Sequence, residues 1–212
     1  MTQIYALTDA VLTPNSVLTK AVGALLRGGV KIVQYRDKSF SCDEGVLREL
    51  AQMCRENGAK FIINDNAKLA LKVGASGVHL GAQDGSVRQA RELLGEAAFI
   101  GASCYASLEL AKKAVSDGAS YIAFGAAFAS PTKPNAPLCG LEILAYAQQT
   151  PELKGVPNCI IGGLSAKNAA LVASFKPDYA AFVSALYEGA NSLEENIAAN
   201  LAKLNRALNG EI

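Results

Sequence analysis

Apolar and polar positions alternate along this chain with two periods. Short β-branched or apolar runs are each followed by a stretch with apolar residues at i, i+3 and i+4, the helical spacing. Eight such pairs can be traced. The strand-like runs cover residues 4–7, 31–35, 60–63, 77–80, 99–102, 121–124, 158–161 and 179–183. The helical stretches cover residues 15–27, 43–57, 67–73, 86–94, 108–117, 141–148, 166–174 and 193–208. Gly28–Gly29 and Asn57–Gly58 fall where helix ends favour a left-handed residue, and Asn15, Asp43 and Ser165 are candidate N-caps. Strict alternation of strand and helix requires parallel strands joined by crossover helices. Eight repeats favour an α/β fold closed into a (β/α)8 TIM barrel, a single catalytic domain over residues 1–212. An open doubly wound sheet is the alternative, but no G-x-G-x-x-G turn follows the first strand.

Composition narrows the classes. The formal net charge is +1, and no basic stripe interleaved with aromatics marks a nucleic-acid partner, so phosphate recognition should be local. No apolar run approaches the roughly 20 residues that span a bilayer, and the N-terminus lacks the n- and h-regions of a secretory signal. Five cysteines without a CxxC spacing fit reduced thiols in a cytoplasm, packed as small hydrophobes. No interface for a homo-oligomer can be read, although barrels of this kind often self-associate.

In a barrel the active site sits at the C-terminal ends of the strands. Strand two ends Gln34-Tyr35-Arg36-Asp37-Lys38, an amide and two cations suited to phosphate oxygens, or a solvated loop with a salt bridge to Asp37. Strands three and four end in Asn64-Asp65 and in Gly81 leading to Asp84. Adjacent strands lie about 4.8 Å apart, so both carboxylates could reach one Mg2+, with phosphate oxygens and waters completing its shell. Each Asp alone could equally be a turn or cap residue. Strand five leads to Ser103, which alone is a weak signal. The sixth loop, about residues 128–140, is long and gathers Ser130, Pro131, Thr132 and Lys133. Strand seven ends in Gly162-Gly163 and strand eight in Val183-Ser184, the common phosphate position of these barrels. The one histidine, His79, lies within strand four and reads first as a packed core residue.

Taken together these strand ends resemble the thiamin phosphate synthase family over essentially the whole chain. The carriers are Gln34 to Lys38, Asn64-Asp65, Gly77-Val78-His79-Leu80-Gly81 with Asp84, Gly101-x-Ser103, Thr132-Lys133, Gly162-Gly163 and Ser184. The resemblance implies coupling of a hydroxymethylpyrimidine pyrophosphate to a thiazole phosphate, giving thiamin phosphate and pyrophosphate. It implies that Gln34, Tyr35, Arg36, Asp37, Lys38, Asn64, Ser103 and Lys133 meet the pyrimidine pyrophosphate. Arg36, Lys38, Lys133 and Ser103 would be the catalytic groups, Asp65 and Asp84 the Mg2+ ligands. Ser130, Pro131, Thr132, Gly163, Val183 and Ser184 would position the thiazole phosphate. The chain departs from the family pattern at Ala82, which separates Gly81 from Gln83, at Tyr105, where many relatives carry histidine, and at Ser130, often threonine.

Three other readings compete. A thiazole tautomerase needs a proton-transferring side chain, for which His79 and Tyr105 are poor candidates. A silent regulatory paralogue should have lost a metal carboxylate or a pyrophosphate cation, and none is lost. An epimerase or indole-forming synthase needs an acid and a base facing each other across the barrel mouth, whereas Asp65 and Asp84 sit on neighbouring strands.

Overall fold

The computed structural model describes residues 1–81, 84–129 and 137–211. It closes the barrel in sequence order, with β1 (Gln3–Leu7), β2 (Ile32–Tyr35), β3 (Lys60–Asn64), β4 (Gly77–Leu80), β5 (Gly101–Tyr105), β6 (Tyr121–Phe124), β7 (Asn158–Ile161) and β8 (Tyr179–Phe182) all parallel and β8 returning to β1. The crossovers carry α1 (Leu18–Arg27), α2 (Glu44–Glu56), α3 (Ala67–Val73), α4 (Val87–Leu94), α5 (Leu108–Ser116), α6 (Glu142–Gln149) and α7 (Ala169–Ser174), followed by α8 (Ser184–Tyr187) and α9 (Leu193–Leu208). No described helix is long and apolar enough to cross a membrane.

Side chains alternate across each strand, and the alternation divides the apolar residues into two sets. Outward residues such as Val33, Phe61, Ile63, Val78, Ile122 and Phe124 pack against the helices. Inward residues, among them Tyr5, Leu7, Ile32, Ile62, Tyr121 and Cys159, fill the barrel itself. The five cysteines are all buried and free, as small hydrophobes should be.

Local signals explain several boundaries. Asp43 caps α2 by accepting from the Gly45 amide at 2.7 Å. Gly29 and Gly58 adopt φ of 84° and 62°, the left-handed turn that follows a helix. Asn15 does not cap α1; Val17 holds that position, and the Asn15 amide donates to Ser41 Oγ instead. Ser165 does not cap α7 either. Asn168 holds that position without a side-chain cap, and its Oδ1 accepts instead from the Ser165 amide at 2.8 Å.

The fifth strand is displaced from its expected span of residues 99–102. The apolar run ends early, but the backbone continues pairing with β6 through Ser103 to Tyr105, with a register shift between Ser103 and Tyr105. Phe99 instead lies under the barrel, its ring stacked on Tyr121 with centroids 4.8 Å apart.

Gly77 marks a close approach between β4 and the segment before β5. A Cβ there would be driven into the backbone of Phe99. Gly77→Ala should therefore cost about 1–3 kcal/mol through forced backbone movement. Urea unfolding with an unchanged m-value would read this loss, and wild-type stability would show that the two segments are not in contact.

Candidate active site at the barrel mouth

The mouth is built from the C-terminal ends of β1 to β8. At β2 the structure separates residues that the sequence presents as one run. Gln34 points into the barrel, 2% exposed, and its Nε2 donates to the Tyr5 hydroxyl at 2.8 Å. Arg36 stays at the mouth, with its amide on Thr8 Oγ1 at 3.0 Å and its guanidinium 3.9 Å from Asp9 Oδ2. Lys38 is exposed, and its charge acts on Asp65.

Tyr35 and Asp37, expected at the substrate, are turned to another task. Tyr35 is buried between barrel and helices, and its hydroxyl donates to Asp37 Oδ2 at 3.1 Å. Asp37 is 5% exposed and also accepts from the amides and hydroxyls of Ser39 and Ser41 at 2.6–3.1 Å. Burial works against its charge, but the Ser39 and Ser41 hydrogen bonds outweigh it and hold the carboxyl well below the usual range. With that many donors around it, Asp37 orders the loop that carries Arg36 and Lys38. The salt bridge read for Asp37 falls instead to Asp9.

At β3 and β4 the two carboxylates do meet. Asp65 adopts φ of 61°, a left-handed turn that aspartate tolerates. Asn64 Nδ2 steadies its Oδ2 at 2.5 Å. Its carboxyl lies within hydrogen-bond reach of Asp84. Burial first, then the Asp84 charge, raises the Asp65 pKa, against the opposing pull of Lys38. Gly81 makes this meeting possible, because a Cβ there would be driven into the Asp84 carboxylate. A half-buried carboxylate whose ionisation is opposed by burial and by a neighbouring aspartate, with a lysine nearby, forms a place suited to a divalent cation that also carries phosphate. No group of three or more metal-ligating side chains occurs among the described residues, so protein ligands would cover only part of the cation's shell.

At β7 and β8, Gly162 and Gly163 take φ of 108° and 62° and lie so close to residues 126–129 that side chains would collide there. Backbone hydrogen bonds from Ala127 to Ile161 and from Phe128 to Gly162, at 2.9 and 3.0 Å, zip the base of the sixth loop to this turn. Asn168 Nδ2 holds the Gly163 carbonyl at 2.9 Å. Val183 precedes the short helix α8, and Ser184 is its first residue. The sequence pattern did not reveal that helix, since one turn is too short to carry a period. Ser130, Pro131, Thr132 and Lys133 lie outside the described residues.

His79 is not an isolated core histidine. Its Nδ1 lies 2.9 Å from the Tyr121 hydroxyl and its Nε2 lies 2.9 Å from Ser103 Oγ. With both nitrogens engaged it is no free general base. Tyr5 joins Tyr121 through their hydroxyls at 2.8 Å. Tyr5, Tyr121, Thr8 and Asp9 are residues that sequence reasoning missed. The available signal was that a tyrosine buried in a barrel must find a hydroxyl partner.

The family model described as thiamine monophosphate synthase matches residues 4–186. A thiamine-phosphate synthase of Halorhodospira halophila is 48% identical over 182 residues, covering 84% of this chain and 85% of that relative. One from Thiobacillus denitrificans is 42% identical over 210 residues, covering 98% and 95%. Among solved structures, a thiamine phosphate pyrophosphorylase from Pyrococcus furiosus superposes with a TM-score of 0.81 at 30% identity, covering 98% and 96% of the two chains.

Burial lowers the His79 pKa from 6.5 to about 4, and Asp84 opposes only in part. Between those values the unfolded chain binds more protons, so stability falls as the pH falls through that window. The ring of this single histidine should stay neutral, its NMR resonance unmoved from pH 8 to about 5.5. A midpoint near 6.5 would mean that the ring is solvated and the hydrogen bonds are absent.

Proposed function

The chain belongs to the thiamine monophosphate synthase family, and we propose that its barrel mouth joins a hydroxymethylpyrimidine pyrophosphate to a thiazole phosphate, releasing pyrophosphate. The observation that carries this assignment to the site is the Asp65–Asp84 pair beside Lys38, with Arg36 on the neighbouring strand end.

The reaction breaks a carbon–oxygen bond to pyrophosphate and makes a carbon–nitrogen bond to the thiazole. An electron-rich aminopyrimidine stabilises positive charge at the departing carbon, so the main demand is to stabilise the leaving group's negative charge. Mg2+ held by Asp65 and Asp84 would neutralise part of that charge when bound. Arg36, its backbone held by Thr8 and its guanidinium facing Asp9, and the exposed Lys38 supply cations at the mouth. Lys133 completes the set in this reading. Asn64 orients the Asp65 carboxylate, and Ser103, bonded to His79, is assigned to the pyrimidine in this reading. The thiazole nitrogen brings its own lone pair and needs no general base.

The thiazole phosphate is assigned to Gly163, Val183 and Ser184 together with Ser130, Pro131 and Thr132. Glycines allow the backbone a close approach to phosphate oxygens. Because the sixth loop's base is zipped to the Gly162–Gly163 turn, the two substrates would be held against each other by two backbone segments bonded together.

The test is turnover of the two substrates with Mg2+ and with chelator. Thiamin phosphate and pyrophosphate should form only with Mg2+. Binding without product would refute the assignment. Asp65→Ala should lower activity at limiting Mg2+ by about a hundredfold, the usual cost of losing one charge-stabilising group. Full activity of that variant would remove Asp65 from the metal site.

A further inference from the structure

Five side chains from five strands form one unbroken hydrogen-bonded line inside the barrel. It runs from Gln34 on β2 to Tyr5 on β1, Tyr121 on β6, His79 on β4 and Ser103 on β5, with every step at 2.8–2.9 Å. Its two ends lie below the mouth, and its middle lies in the aromatic plug.

Such a line has a direction. Each tyrosine hydroxyl has one proton, and a neutral imidazole has one N–H. The Gln34 Nε2 can only donate, so Tyr5 accepts there and spends its own proton on Tyr121. Tyr121 then donates to His79 Nδ1. That leaves the His79 proton on Nε2, donated to Ser103 Oγ. Ser103 accepts from the ring and keeps its own proton free. At the other end, Gln34 Oε1 has no hydrogen-bond partner among the described residues. The opposite direction, with the amide as placed, leaves the buried Tyr5 proton without an acceptor; turning the amide round instead leaves both its N–H donors without a partner here, and either way the Ser103 proton is aimed back at the ring.

We infer that Tyr5, Tyr121 and His79 are positioning residues that set this direction, so that the mouth offers a Ser103 hydroxyl donor and a Gln34 carbonyl acceptor. One donor and one acceptor complement an aminopyrimidine edge, which carries an amine beside ring nitrogens; this identification of the ligand rests on the proposed function. The barrel is built around the line. A Cβ on Gly101 would be driven into the Tyr121 ring, so β5 must be bare at that point for the ring to lie across the lumen. Phe99 stacks under the same ring and holds it from below.

Because the protein has one histidine, the direction can be read without assignment. Long-range 15N–1H correlation of the full-length protein should show His79 with Nε2 protonated and Nδ1 bare. The Nδ1–H tautomer, or a charged ring at neutral pH, would overturn the inference, whatever reaction the protein catalyses. Tyr121→Phe keeps the ring and removes the donor, so both tautomers should then appear. In steady-state turnover that variant should lose about tenfold to a hundredfold in kcat, with the KM for the thiazole phosphate unchanged. Adding it to Ser103→Ala should cost little more than Ser103→Ala alone, because both act through one hydroxyl. Additive losses, or a Tyr121→Phe protein with unaltered tautomer and kcat, would show that the tyrosine merely fills space. Gly101→Ala, which retains every member of the line but displaces the Tyr121 ring, should reproduce the tautomer mixture.

Discussion

A closed parallel barrel must fill its own interior, and here the filling includes two tyrosine hydroxyls at the centre. A hydroxyl removed from water without a partner costs free energy of a few kcal/mol. Tyr5 and Tyr121 answer each other, and each then requires a second polar neighbour. That requirement fixes Gln34 on one side and His79 on the other, and through His79 it fixes Ser103. A packing problem at the bottom of the barrel thus determines which groups stand ready at its mouth.

Above this line the chemistry is electrostatic. Asp65 and Asp84 are brought together by a left-handed turn and a bare glycine, and burial, then the Asp84 charge, raises the Asp65 pKa. Asp37 is the opposite case: a carboxylate so well served by hydroxyls and amides that it stays ionised and organises a loop. Two aspartates at equivalent ends of neighbouring strands therefore do different work, one facing another charge and one facing donors.

The fold was legible in the sequence because strand and helix periods alternate without interruption, and seven of the eight strands fall close to where the apolar runs place them. The fifth was misplaced because Ser103 to Tyr105 read as a polar end, whereas polar residues at a barrel mouth can still pair along the backbone. At the mouth, the meeting of Asp65 and Asp84 was legible from strand order alone. Tyr35 and Asp37 were read as substrate groups because adjacency in sequence hides the alternation of a strand and the turn after it. Gln34 faces the lumen, Tyr35 faces the helices, and Asp37 folds back under the loop. His79 looked like an ordinary core residue because its partners come from two other strands, β5 and β6, which the pattern within β4 does not show.

The claim on which the account most depends is that the Asp65–Asp84 end of the mouth takes a pyrophosphate together with a divalent cation. Calorimetric titration of pyrophosphate into the protein tests it without any turnover. Binding should appear with Mg2+, vanish with chelator, and be lost on Asp84→Asn. Pyrophosphate binding of equal strength with and without the metal would contradict it.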